Sequence, residues 1–174
     1  MPIPFRGAEE VDELGAAGFL LFLRDTAEIS MGGGVLLVDA RAEPLEFVHH
    51  SMTLPGGALW SAEDAGRHAG RRLAAELFRA LGRTPGVLIV RDDGSASEQW
   101  LGDLEVGIPV GLLDEVNRGG SVAPRWLDGG PALGSPADRL CERLGQRDLL
   151  IEPFTRLERA LRQLHPFLAE GDSD

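Results

Sequence analysis

Three short apolar runs constrain this chain most: Gly18–Arg24 (GFLLFLR), Gly34–Asp39 (GVLLVD) and Val87–Val90 (VLIV). The first is too apolar for a strand with one wet face and reads as buried, and the second makes another strand. The third, short and uninterrupted after a helix, reads as a central strand covered on both sides. A covering layer follows from Ser61 onward. Ala65, Ala69, Leu73, Leu77 and Leu81 recur at every fourth position, joined by Phe78, which gives one apolar helical stripe. Ser61 with Asp64 three residues on resembles a capping box, and Gly82 supplies the stop. Small residues fill the first half of this helix (Ala62, Ala65, Gly66, Ala69, Gly70), which suits close approach to a sheet. Between the second run and the helix, the turn residues of Asp39–Pro44 lead into an extended segment, Leu45–Thr53. The first three strands therefore predict an antiparallel meander. Gly32–Gly34 reads as the flexible end of the link between the first two strands.

The second half is more broken. Ala8–Leu14, far upstream, predicts a short acidic helix. Downstream, Asp92–Ser95 is a turn and Ser97–Leu104 a short helix. Ile108–Leu113 is a fifth strand, with Pro109 placing its start at an edge or bulge. Asn117–Gly134 is a long loop or loose hairpin holding Pro124, Arg125 and Trp126. Ser135-Pro-Ala-Asp138 opens a helix with Leu140, Cys141 and Leu144 inward. A last helix begins near Glu152-Pro153 and buries Phe154, Leu157, Leu161, Leu164 and Leu168. The expected fold is α/β: a mixed sheet with a three-stranded antiparallel meander, a long covering helix, further strands and C-terminal helices. Residues 1–170 read as one domain and 171–174 as an acidic tail.

Charge and cysteine content narrow the function. The net charge is −11, which opposes nucleic-acid binding unless basic groups are gathered. All 17 basic residues are arginine. One cysteine, Cys141, excludes an internal disulfide or a cysteine-rich metal site. No leader-like segment opens the chain, and no apolar run approaches the roughly 20 residues that span a bilayer. The expectation is a cytoplasmic protein with no membrane partner.

The order of elements is similar to the ribonuclease H-like fold. Leu54-Pro-Gly-Gly57, the helix after it, and Val87-Leu-Ile-Val-Arg-Asp-Asp-Gly94 followed by Gly107-Ile-Pro-Val110 look like the corresponding stretch of endonuclease V. In such nucleases, acidic residues from the first strand, first helix and fourth strand hold divalent metal, which stabilises the attacking and leaving oxygens of a phosphodiester. What the resemblance implies here is a magnesium site built from Asp25, Glu63 (or Glu76) and Asp92 (or Asp93). The sequence departs from the pattern: Asp25 lies past the apolar run, and the helix has no basic–acidic pair at the matching distance from Pro55-Gly56. Asp92 and Asp93 sit in an Asp-Gly turn, where aspartate is common for backbone reasons.

Other chemistry has less support. His49 and His50 point to opposite faces of a strand, and His68 and His165 stand apart in sequence. A P-loop needs a lysine that the chain lacks. Nothing supports a ligand pocket beside Gly32–Gly34. Arg67, Arg71, Arg72, Arg79 and Arg83 form one basic concentration, offset by Glu63, Asp64 and Glu76. Tryptophan and arginine are enriched at interface hot spots, which singles out Trp126 and Arg125, with Arg67 and Arg71, as binding candidates; Trp60 and Trp100 read as covers for the ends of the core. The sequence thus points first to a non-catalytic, bacterial-type accessory domain acting through a protein partner, a second copy of the chain included, with no cofactor and no metal. The alternative is a metal-dependent nuclease of ribonuclease H-like type, with Asp25, Glu63 and Asp92 catalytic, which leaves nucleic acid open as a partner.

Overall fold

The computed structural model describes residues 13–27, 29–92, 101, 106–114 and 122–168. Six strands form one sheet: β1 (Ala17–Arg24), β2 (Ser30–Val38), β3 (Pro44–Thr53), β4 (Val87–Asp92), β5 (Val110–Asp114) and β6 (Arg125–Trp126). Their spatial order is β3-β2-β1-β4-β5-β6. The first three strands pair antiparallel, as the meander reading expects, with Leu20 opposite Val35 and Leu36 opposite Phe47. β1 and β4 are parallel, with Leu20 beside Val90, and β4 and β5 are also parallel. The crossover between β1's meander and β4 is helix α1 (Ala62–Ala80). Helices α2 (Pro136–Gln146) and α3 (Glu152–Leu164) follow β6, and a 3-10 turn spans Pro166–Leu168.

The uninterrupted apolar runs are explained by two cores, one on each sheet face. On one side Leu20, Phe22, Val35, Leu37, Leu88 and Val90 pack with Ala69, Leu73, Ala74 and Leu77 of α1. On the other, Phe19, Leu21, Leu36, Val38, Val87 and Ile89 pack with Leu140 and Leu144 of α2 and Phe154, Leu157 and Leu161 of α3. Phe19 and Phe154 meet edge to face, ring centroids 5.2 Å apart. Leu168 reaches this core from the 3-10 turn, whereas Leu164, expected inward, is 48% exposed because α3 ends there.

Gly32–Gly34 is where the sequence reading needs correction. These residues are not a flexible link; they lie inside β2 and are buried. A Cβ at Gly33 would stand 2.7 Å from Phe22 Cδ1, and one at Gly34 would stand 3.0 Å from Leu157 Cδ1. The glycines admit side chains from β1 and α3, so the space where a ligand would sit is filled. Two other expectations fall largely outside the described residues. Of Ala8–Leu14 only Glu13 and Leu14 are described, and of Ser97–Leu104 only the buried, helical Leu101. Asp93, Trp100 and the tail also lie outside them. Among the described residues no helix is long and apolar enough to cross a membrane.

Odd-numbered positions of β4 face α3, and Arg91 is the polar one. Its Nη1 donates to Glu158 Oε2 at 3.0 Å, and Arg162 holds the other oxygen, Nη2 to Oε1 at 3.1 Å. Burial pushes the Glu158 carboxyl up, but the hydrogen bonds and charges of Arg91 and Arg162 outweigh it and hold the group below the usual carboxylate range. At the edge, His49 Nδ1 and His165 Nε2 form a hydrogen bond of 3.1 Å, the donor set by the tautomers, joining β3 to the end of α3. Burial, then the neighbouring His49 and His50, keep His165 below the ordinary histidine value.

Two outcomes follow for stability. Gly33→Ala should lower the unfolding free energy by about 1–3 kcal/mol, because the buried Phe22 ring has no room to yield; a denaturant midpoint equal to that of the unsubstituted protein would contradict this packing. Glu158, depressed when folded, contributes stability above pH 4.5 that is lost as pH falls through its folded value. Glu158→Gln should therefore flatten the acid limb of a stability-against-pH curve below the ordinary carboxylate value of 4.5.

Candidate functional site

β1, β3, β4 and β5 all run in one direction, so their C-terminal ends share one edge of the sheet. From β1 the chain leaves toward β2 and β3 on one side and, after α1, toward β4 and β5 on the other. The junction of β1 and β4 is therefore a topological switch point, the place where open α/β sheets leave a crevice outside the carboxyl ends of their strands. α1 begins beside it, capped by the Ser61 hydroxyl accepting from Asp64 N–H.

Asp25 builds the floor of this edge. Its Oδ1 accepts from Ile29 N–H at 2.7 Å and Ser30 N–H at 3.0 Å, closing the β1–β2 turn. The Ile29 carbonyl then accepts from Leu54 N–H at 2.7 Å, which pins Leu54–Gly56 at the mouth of the crevice. A pocket of about 190 Å³ results, lined by Arg24, Ile29, Leu54, Pro55, Trp60 and Ser61 among others. Trp60 also lines an open groove of about 770 Å³ along the outside of α1, with Asp64, Arg67, His68, Arg71 and Arg72. The Trp60 and His68 rings lie 5.0 Å apart.

The side of β1 facing α1 carries Leu20 and Phe22, both in the core, and then Arg24. The Arg24 side chain lies against α1 at Gly66: a Cβ there would meet its guanidinium, with Cζ only 2.7 Å away. Arg24 Nε is buried and makes no hydrogen bond. Small residues in the first half of α1 thus make room for an arginine head as well as for the sheet.

The carboxylates nominated for metal are dispersed in role. Asp25 is taken up by turn N–H groups. Glu63 is largely exposed and pairs with Arg67, Nη2 to Oε1 at 2.8 Å. Glu76 pairs with Arg79 on the outer face of α1. Asp92 ends β4, and its side chain falls outside the described atoms. Among the described residues no three His, Cys, Asp or Glu form a group able to hold a metal ion. A guanidinium in the crevice also repels a divalent cation. The described residues therefore do not fit the magnesium site that the resemblance implies.

The binding candidates separate too. Arg67 and Arg71 line the α1 groove together. Arg125 and Trp126 form the short edge strand β6, paired with Gly111 and Leu112. Trp126 is half-buried, its ring over Gly111 and Gly130, so it serves the sheet edge. The exposed tryptophan of the crevice is Trp60 (38% exposed), which sequence reasoning assigned to the core's end. Arg24 was missed as well. Its signal was an arginine closing a buried strand, with a glycine-bearing helix to follow.

No family model matches the chain, and no curated protein sequence matches it significantly. Solved structures do. A crystal structure of Endonuclease V from Streptomyces avermitilis aligns over 98% of this chain and 95% of that one, with TM-score 0.57 and 12% identity. The catalytic domain of human Endonuclease V aligns over 88% and 85%, with TM-score 0.50 and 11% identity. An Endonuclease V from Bacillus subtilis aligns over 57% of this chain at TM-score 0.43 and 16% identity, and the match spans 44% of that protein's length. The α/β fold with ribonuclease H-like topology is thereby established. The expectation of a non-catalytic accessory domain acting through a protein partner is overturned, since the structures that share the fold across nearly the whole chain are endonucleases.

The Arg24–Gly66 contact is testable by a double-mutant cycle. Gly66→Ala should stabilise the Arg24→Ala background by about 1 kcal/mol, the helix-propensity gain, and stabilise the unsubstituted protein by less. Equal effects in both backgrounds would show that the guanidinium does not lie there.

Proposed function

We propose that the chain acts on nucleic acid as a nuclease, with phosphodiesters as its substrate class and the crevice at the β1–β4 switch point as its site. The observation that supports this reading most is the likeness to Endonuclease V over nearly the whole of both chains. The crevice adds chemical support. Trp60 offers a ring face on which a base stacks, and Arg67, Arg71 and Arg72 gather positive charge beside it on an otherwise acidic chain.

Hydrolysis of a phosphodiester requires water to attack phosphorus and the P–O ester bond to break, leaving a hydroxyl and a phosphate monoester. Charge grows on the phosphoryl oxygens along that path, and guanidinium donors favour it. Because the described carboxylates do not fit a magnesium centre, no step is assigned to a metal, and magnesium enters as a variable of the experiment.

The test is strand scission of single- and double-stranded DNA and RNA, read on denaturing gels with magnesium, with manganese and with a chelator. Cleavage by the purified chain is expected, and Trp60→Ala should reduce it through weaker substrate binding, a change of about 1–3 kcal/mol in KM and not in kcat. Absence of cleavage on every substrate and in every ion condition would overturn the reading.

A further inference from the structure

We propose that the pocket at the C-terminal end of β1, between Leu54–Gly56 and the start of α1, binds a phosphate group directly on the Arg24 guanidinium, with no metal ion between them. The nuclease reading names the source of that phosphate, a nucleic-acid strand; the site itself follows from the chemistry of the pocket.

Arg24 is a partly buried cation that none of the described residues neutralises. Among the described residues it has no ion-pair partner, its Nε is closed to water and without an acceptor, and none of those lining the pocket it enters is acidic. Asp25, next in sequence, has turned away to accept from Ile29 and Ser30 N–H. The Ser61 hydroxyl is occupied with Asp64. Nε, closed to water, is closed to a ligand as well, so a phosphate meets the Nη edge, whose N–H groups have no acceptor among the described residues and whose planar fork matches phosphate oxygens. The head is also held in place: it rests on the bare backbone of Gly66, so it is aimed before any ligand arrives. The pocket's roughly 190 Å³ equals about six waters' share of liquid volume, room for a phosphate with part of its hydration. Trp60 lines both this pocket and the outer groove, so a nucleotide with its phosphate on Arg24 has an aromatic face within its own length.

Among the described residues this arrangement is the inverse of the acidic, cation-binding crevice that the ribonuclease H-like resemblance implies. Where carboxylates would hold a cation that in turn holds the phosphate, an arginine meets the phosphate itself.

The experiment measures binding of a labelled short single-stranded DNA by fluorescence anisotropy, at low salt and with a chelator present, in arms with and without a 5′-phosphate. Inorganic phosphate binding is measured alongside by calorimetry. Binding is expected to persist in the chelator, inorganic phosphate is expected to compete, and Arg24→Gln should weaken DNA about tenfold or more. Arg24→Lys should retain part of the affinity, and Gly66→Ala, which displaces the guanidinium while keeping its charge, should lose part of it. Thermal midpoints of all three variants identify any that fail to fold. A stronger effect of Arg24→Gln on the 5′-phosphorylated arm assigns the site to a terminal phosphate; equal effects assign it to the backbone. Affinity unchanged in Arg24→Gln, or binding that requires a divalent cation, overturns the proposal. Phosphate binding that depends on Arg24 in a chain that neither binds nor cuts nucleic acid leaves the site standing and removes the nuclease reading; cleavage indifferent to Arg24 does the reverse.

Discussion

Everything in this molecule depends on β1 and β2 being covered on both faces at close range. From Ala17 to Phe22, β1 has no polar side chain, and neither face meets water. Such a strand is stable only if helices pack on both sides, and the burial of its apolar area is the main term that opposes the entropy of ordering the chain. The chain meets the geometric demand with glycine. Gly33 admits Phe22 on one face and Gly34 admits Leu157 on the other, so helices on both sides approach a sheet that is bulky at neighbouring positions. The site inherits this arrangement, because the first polar residue of β1, Arg24, appears where the covering layers end.

That placement explains why the crevice is basic. A ribonuclease H-like sheet brings the C-terminal ends of β1, β3 and β4 to one edge, and the side chains there decide what the edge attracts. In β1 the cleft-facing succession is Leu20, Phe22, Arg24, with no acid among them. In β4, Arg91 turns to the opposite face and its Nη1 donates to Glu158, although its Nε, like that of Arg24, has no acceptor; the two strand-end arginines differ in their ionic partners. One is fixed within a charge network between sheet and helix. The other lines a pocket whose other described residues are neutral.

Much of the fold was legible because its signals are local and strong. The four-residue stripe of α1, the Ser135-Pro-Ala-Asp138 helix start and the apolar runs each rest on periodicity or capping, and each appears within a few residues of its expected place. Gly32–Gly34 was misread because a glycine run looks the same whether it frees a loop or admits a neighbour's ring. Only the tertiary partners, Phe22 and Leu157, distinguish the two. The site was less legible for a related reason. Asp25 attracts attention as an acid after a strand, yet its carboxylate is spent on two backbone N–H groups. Trp60 and Trp126 exchange their expected roles, since β6 is two residues long and too short to announce itself, yet it carries Trp126 onto the sheet.

The distribution of charge completes the physical picture. A chain at net −11 repels a polyanion at long range, so any nucleic acid it holds must be held by short-range contacts that survive within a Debye length of about 10 Å. The α1 arginines alone do not meet that requirement, because Arg67 is shared with Glu63 and sits beside Asp64 in the same groove. An exposed, compensated arginine contributes little. A partly enclosed guanidinium differs: a lower local dielectric strengthens its attraction for phosphate. The weight of recognition therefore falls on Arg24 and on stacking at Trp60, both set by short-range geometry.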